Sequence, residues 1–398
     1  MQSQIIGKII TSLDGSLKLN ENEAIEFNLP GYKAVPIFKT NFHAIEQSNK
    51  ENNADDGNKN NNNVITNTKI AFIDGGNVEL LSAPNFSLQF VRVFACIFQD
   101  NKRIFSKKKE FYVLAKCINR LNDEGKAELT YTAEIFNANK EPGKDGKTFI
   151  DASDLLFAAN DETIRDGIHN ASISAVGEIA RKFGELALAK QIVNELGEDG
   201  IIVLDGSLQA TITNHKKYLE QLYAYAHEKG IVVSALAKTS RLFSNNGNSM
   251  AGLLNEISAN TQVNGVICKN IAWYYYPVVE IENDNHKAEL FFVKLNKASE
   301  YVFRFEIFKD CLAEKKQDSA LLAGFLSELF SAIANNSRDL AFPGYPYGLI
   351  FADKLARVSN NEKEYLTTMF QAKAGKSWLV IKKYLNAVNA HDVLDRIG

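Results

Sequence analysis

Residues 201–208 read Ile-Ile-Val-Leu-Asp-Gly-Ser-Leu, and no other stretch constrains the fold as much. Four branched apolar residues in a row predict a short strand buried on both faces. The run stops abruptly on Asp205, and Gly206 and Ser207 make a turn. A charge at the carboxyl end of a buried parallel strand sits at the mouth of a sheet, where open α/β folds place their ligands. The pattern recurs at residues 69–76, Lys-Ile-Ala-Phe-Ile-Asp-Gly-Gly, which ends on Asp74. One Asp-Gly is often only a turn former. Two strand-terminal aspartates are harder to explain that way, because charges at buried strand ends must be paired or metal-bound.

The order of elements around these strands predicts an α/β fold. Residues 1–45 carry short apolar runs (Ile5-Ile6, Ile9-Ile10, and Val35 to Phe38), which suggest a few strands or a packing arm. Residues 46–66 are a low-complexity stretch with four consecutive asparagines, Asn60 to Asn63, and almost nothing to bury, so a disordered loop is expected. Residues 69–74, 86–98, 110–119 and 127–136 read as strands. Residues 161–196 change to a helical period. Residues 201–205 follow as the buried strand, 215–229 as an amphipathic helix ending at Gly230, and 231–237 as another buried strand. Strands in a meander, a long helix, a parallel strand, a helix and a further strand make the order of an RNase H-like core over about residues 69–237. Residues 271–282, 288–295 and 301–308 look like an antiparallel β extension, and the region from 319 onward is expected to be mostly helical. The expected fold is therefore an RNase H-like mixed sheet with flanking helices, an antiparallel extension and a helical C-terminal region. Residues 67–398 would form the main domain.

Composition narrows the function classes. The chain has 398 residues, with 45% hydrophobic residues and 23% charged ones, which is a globular balance. A net charge of −3 argues against a freestanding, strongly basic nucleic-acid binder. Local basic groups remain compatible with it. The cysteines, Cys96, Cys117, Cys268 and Cys311, form no C-x-x-C pair, so a structural zinc site is not expected. The opening residues lack a signal peptide's apolar core, and no 18-residue apolar run occurs, so a cytoplasmic protein without membrane association is expected. Residues 374–377, Ala-Gly-Lys-Ser, resemble the end of a P-loop, but position 370 is Phe rather than Gly. The aromatic run Trp273 to Tyr276 could stack on unpaired bases or simply fill a core.

The chemistry suited to such a cluster is phosphodiester hydrolysis. Two divalent ions can activate the attacking water and stabilise the leaving oxygen. Mn²⁺ and Mg²⁺ take oxygen ligands, so several carboxylates must converge from separate elements. Asp74 and Asp205 supply two. The intervening helix offers Glu178, Glu185 and Glu195, of which Glu185 is best placed, four residues after Arg181 on one face. Lys238 and Arg241, after a third buried strand, would bring positive charge suited to phosphate. Ser207 and its amide could donate to a phosphate, or simply close the turn.

These residues together resemble the NurA nucleases. The matching features are Asp74 in Ile-Asp-Gly-Gly, Arg181-x-x-x-Glu185-x-x-x-Ala189, and Leu204-Asp205-Gly206-Ser207-Leu208. Ala237-Lys238-Thr239-Ser240-Arg241 and the segment from Tyr345-Pro346-Tyr347-Gly348 to Asp353 and Arg357 agree as well. The resemblance implies a DNA nuclease whose metal ligands are Asp74, Glu185, Asp205 and Asp353, holding two Mn²⁺ or Mg²⁺ ions. Asp353 falls where many members have a histidine. Tyr345, at the motif tyrosine, would orient a phosphate or water. The resemblance further implies 5′→3′ processing of single-stranded DNA and duplex ends in double-strand-break repair. It also implies a homodimer and a HerA-type hexameric translocase as partner. The alternatives left open are a non-catalytic RNase H-like scaffold that binds a translocase or DNA ends and, more distantly, an RNase H-like ribonuclease or Argonaute-type protein.

Overall fold

Residues 70–137 pair sequentially because each apolar run is followed by turn residues and then a complementary run. The result is an antiparallel meander of β1 (Ile70–Ala83), β2 (Phe86–Gln99), β3 (Lys102–Leu121) and β4 (Ala127–Asn137). Asp100 and Asn101 join β2 to β3 with φ of 48° and 60°. Two left-handed residues in a row suit the right-handed twist of a hairpin. After the meander come α1 (Ala175–Leu196), β5 (Ile201–Asp205), α2 (His215–His227) and β6 (Val232–Ala237). The computed structural model describes residues 2–17, 31–46, 68–121, 125–138, 149–244 and 247–385. Most of the expected low-complexity loop, residues 47–66, lies outside that set.

The chain forms two units. The first comprises Thr68–Leu204, Ala210–Val233 and Gly348–Gly398. In it β5 lies parallel to β1, in register from Ile70↔Ile201 to Ile73↔Leu204, which gives the order β4-β3-β2-β1-β5. The N–H of Val232, which opens β6, donates to the Gly200 carbonyl at 2.9 Å. This is the mixed sheet expected of an RNase H-like core. α1 covers β1 and β2 with Val176, Ile179, Ala180, Phe183 and Leu186, all buried. After it in the chain come α3 (Tyr347–Ala356), α4 (Asn360–Ala374) and α5 (Ser377–Tyr384). Val358, Leu366, Phe370, Trp378 and Ile381 from this region pack on Leu80, Leu81, Leu88 and Phe90. Arg92 of β2 fixes the start of α4. It pairs with Glu110 at 2.7 Å and with Glu362, and donates to the Arg357 carbonyl at 3.2 Å.

The second unit comprises Met1–Asn67, Asp205–Gln209 and Ser234–Tyr347. Its strands run antiparallel in the order Phe42–Ala44, β7 (Trp273–Tyr275), β8 (Ala288–Lys294), β9 (Phe303–Phe308), β6. This is the expected β extension. Trp273, Tyr274 and Tyr275 are buried beside Phe42, Phe292 and Phe330, so this run is core and presents no surface for stacked bases. Helix Ser319–Asn335 is capped by Asp318, whose carboxylate accepts from the Ala320 N–H at 2.8 Å.

Three expectations are corrected. The N-terminal isoleucines belong to a helix, Gln2–Leu17, rather than to strands. Positions 5, 6, 9, 10 and 13 repeat every three to four residues, which is a helical spacing. The helix expected over 161–196 starts only at Ala175. Asp161 instead binds the Thr163 N–H and hydroxyl at 2.8 and 2.7 Å, a local turn that competes with helix. β3 begins at Lys102, eight residues earlier than its apolar alternation, because cross-strand pairing with β2 holds a charged segment in strand form. No helix among the described residues is long and apolar enough to cross a membrane.

Candidate active site

In the first unit, Asp74 lies on β1 and is 7% exposed, its Oδ1 accepting the Gly75 N–H at 2.7 Å. α1 presses against β1 at this point. A Cβ on Gly75 would lie 2.5 Å from Glu185 Oε1 and 2.9 Å from Arg181 Cγ. The glycine therefore admits the helical carboxylate to the strand. Glu185 is ion-paired with Arg181, four residues away. The charge of Glu185, and after the opposing cost of burial that of Asp74, raises the pKa of Arg181. One guanidinium thus serves two carboxylates. Glu178 and Glu195, the other helical candidates, are exposed.

Asp353 projects from α3, half-exposed, with Arg357 Nη2 at 3.4 Å. Phe351 of the same helix packs edge-on to Phe94 and Phe98 of β2. The end of α3 sits so close to β1 that a Cβ on Gly76 would lie 2.5 Å from the Ala356 carbonyl oxygen. Because that oxygen is backbone and cannot swing aside, Gly76→Ala is expected to cost about 1–3 kcal/mol. Thermal unfolding measures it, and a wild-type midpoint would mean that α3 is not seated this way.

In the second unit, Asp205 accepts from Lys238 Nζ at 2.7 Å. The same ammonium lies 5.6 Å from the ring centroid of Tyr345, which is 2% exposed and stacked on Phe342. The ring faces a cation and supports it by its π electrons. Arg241 is exposed. Ser207 is engaged differently from the expected phosphate donor, because its hydroxyl is directed to Glu306 at 3.0 Å. Asp205 ends β5, but Asp74, expected at a strand end, lies inside β1. That strand continues to Ala83 because pairing with β2 holds Gly75 and Gly76 in it; only the β1–β5 ladder stops at Ile73 and Leu204.

Sequence reasoning missed Glu306. It is fully buried on β9 and accepts from the Leu208 N–H at 2.7 Å, so it clamps the turn that follows Asp205. His286 Nε2 lies 3.1 Å from it, and His286 Nδ1 lies 2.8 Å from the Tyr32 hydroxyl. A carboxylate only accepts, so Nε2 carries the hydrogen toward Glu306. Arg304 stands 3.0 Å from Glu306, at ion-pair distance without hydrogen-bond alignment. Burial alone would raise the pKa of Glu306; the His286 hydrogen bond, the Arg304 and His286 charges and the Leu208 amide outweigh it and lower it. The available signal was a glutamate inside Phe-Arg-Phe-Glu-Ile-Phe, an otherwise aromatic and apolar strand apart from Arg304.

The NurA domain family matches residues 68–358. The chain belongs to the NurA family. Asp74, Glu185, Asp205 and Asp353 are the carboxylates that the NurA resemblance selects, and Arg181, Lys238 and Tyr345 also lie in its motifs. Family membership supports a nuclease acting on DNA. No significant match is found among curated proteins. Solved structures similar to this NurA-family chain include human ENDOV, at 9% identity over 73% of this chain and 83% of that one, TM-score 0.32. The catalytic domain of human Endonuclease V matches at 10% identity over 76% and 84%, TM-score 0.33. Kluyveromyces polysporus Argonaute with a guide RNA matches at 9% over 73% and 28%, TM-score 0.26. At such scores, questions of mechanism rest on this chain's own residues. Among the described residues no three His, Cys, Asp or Glu side chains are grouped closely enough to hold a metal ion. Three of the carboxylates are instead turned to protein cations, Glu185 to Arg181, Asp205 to Lys238 and Asp353 to Arg357.

Proposed function

We propose that this chain is a metal-dependent DNA nuclease that trims single strands and opened duplex ends 5′→3′. We further propose that it acts as a homodimer with a HerA-type hexameric ATPase in double-strand-break end resection. The observation that carries the reading is the pair Asp74 and Glu185, drawn from strand β1 and helix α1 and served by one cation, Arg181. Asp74, Glu185, Asp205 and Asp353 would hold two Mn²⁺ or Mg²⁺ ions, and their all-oxygen donor set fits those metals. Ions bound there would supply an activated water and neutralise charge on the entering and leaving oxygens.

The protein's own groups supply the rest. Arg181, Lys238 and Arg357 are ion-paired with Glu185, Asp205 and Asp353, and each can turn to a phosphate when a metal takes its partner. Arg241, already exposed, is free to bind a phosphate through two N–H groups. Tyr345 acts through its ring, which holds Lys238 in place, while Ser207 holds the turn behind Asp205. A non-catalytic scaffold is the second reading. It is favoured by the ion pair that Asp353, at a position where many members have histidine, makes with Arg357.

The test is cleavage of end-labelled linear single-stranded DNA with Mn²⁺, beside EDTA and Asp205→Ala controls. Trimming by wild type alone is expected, and the label position reports polarity. Inactivity of wild type with both Mn²⁺ and Mg²⁺, with its translocase present, would establish the scaffold reading instead.

A further inference from the structure

The half of β3 that sequence alternation did not predict is also its most basic half. Residues 102–109 read Lys-Arg-Ile-Phe-Ser-Lys-Lys-Lys, five cations in eight positions with no acid. Among the described residues this half pairs only with β2, because pairing with β4 begins at Phe111↔Asn137. Among the described residues it is therefore a sheet edge. Lysines on an edge can serve merely to prevent association with another sheet, but their register here is specific. Lys108 is opposite Phe94, and Phe94 is opposite Asp74. The lysine thus lies level with the aspartate, two strand spacings or about 10 Å away.

Directly opposed residues point to the same face of a sheet. Asp74, Phe94 and Lys108 therefore share the face that carries α3, where the Arg103 guanidinium lies 4.8 Å from the Phe351 ring. Lys107 and Lys109, opposite Ala95 and Val93, share the other face with Gly75, against which Glu185 sits. Lys108 is tied to Glu110 at 2.9 Å and stays exposed. Positive charge thus lies level with the strand carboxylate on both faces of one edge.

We propose that this edge is a phosphate track, in which Arg103, Lys107, Lys108 and Lys109 hold the backbone of the DNA strand flanking the phosphate addressed by Asp74. The assignment rests on the nuclease reading. Contacts of this kind read charge and spacing, not bases, so binding is independent of sequence and weakens with salt.

The test is fluorescence anisotropy of a labelled single-stranded oligonucleotide with the full chain in EDTA, repeated over a series of salt concentrations. The variants are Lys107→Ala/Lys108→Ala/Lys109→Ala, the corresponding triple arginine variant, and a control, Lys216→Ala/Lys229→Ala. The alanine triple is expected to bind on the order of tenfold more weakly, with a log–log salt slope smaller by about 2, from about 0.7 per phosphate contact on a single strand. The arginine triple and the control should bind as wild type. If wild type binds and the alanine triple matches it in affinity and slope, the track is refuted and the nuclease reading stands. If wild type neither binds nor cleaves DNA, the nuclease reading fails and the track falls with it.

Discussion

Asp74→Asn is expected to lower DNA cleavage on the order of 10²–10³-fold, the usual loss when one group that stabilises transition-state charge is removed. The change is close to isosteric. Asparagine keeps an oxygen to accept the Gly75 N–H that Oδ1 now accepts at 2.7 Å, so the local backbone should hold. Arg181 keeps Glu185, the largest of the charges acting on it, so no buried cation is stranded. Stability should therefore change by no more than about 1 kcal/mol. Single-turnover cleavage and Mn²⁺ titration calorimetry measure the two expected losses, and thermal unfolding checks the fold. A variant that cleaves within tenfold of wild type with unchanged Mn²⁺ binding would remove Asp74 from the site.

Glu306→Gln should instead act on folding, by about 3 kcal/mol at neutral pH, the scale for removing one partner of a buried charge network. The amide nitrogen would face donors now directed at the carboxylate, the Ser207 hydroxyl and the Leu208 N–H among them. The loss should depend on pH. The folded pKa of Glu306 lies below the ordinary value. Its stabilisation is thus fully present above the unfolded carboxyl's pKa, about 4.3, and disappears as pH falls through the lower folded value. Urea unfolding at pH 7 and below pH 4 should show the gap between wild type and variant narrowing with acid. A gap that stays constant would mean that the carboxylate's charge contributes nothing. Asp205 should feel the same substitution, because the Leu208 N–H that Glu306 accepts lies three residues beyond it in one turn.

Much of the fold was legible because burial leaves periodic marks. The runs at 70–73 and 201–204 are apolar without interruption, and they became adjacent parallel strands. β3 was only half legible. Residues 102–109 carry charge where a strand usually carries branched side chains, and pairing with β2 overrode that preference. The N-terminal isoleucines were misread because each adjacent pair, taken alone, also suits a short buried strand, and only the repeat through Leu13 decides for helix. Within the site, Asp74 and Asp205 stood out because a charge that ends a buried run is costly unless it is used. Glu306 left no such mark, because what makes it special is a set of donors from residues 20 to 99 positions away in the chain.

The sequence alone determined the aspartates that close the two apolar runs, the helix carrying Glu185 and the motif order that places the chain among the NurA proteins. Covalent order and side-chain period are enough for those, since each depends on neighbours within a few residues. Tertiary structure alone decided which cation faces which carboxylate, why glycine is required at 75 and 76, and that Ser207 serves a buried glutamate. It also decided that the basic half of β3 lies level with Asp74. These depend on register and close approach between elements far apart in the chain, and a one-residue shift in pairing would turn every such side chain to the opposite face.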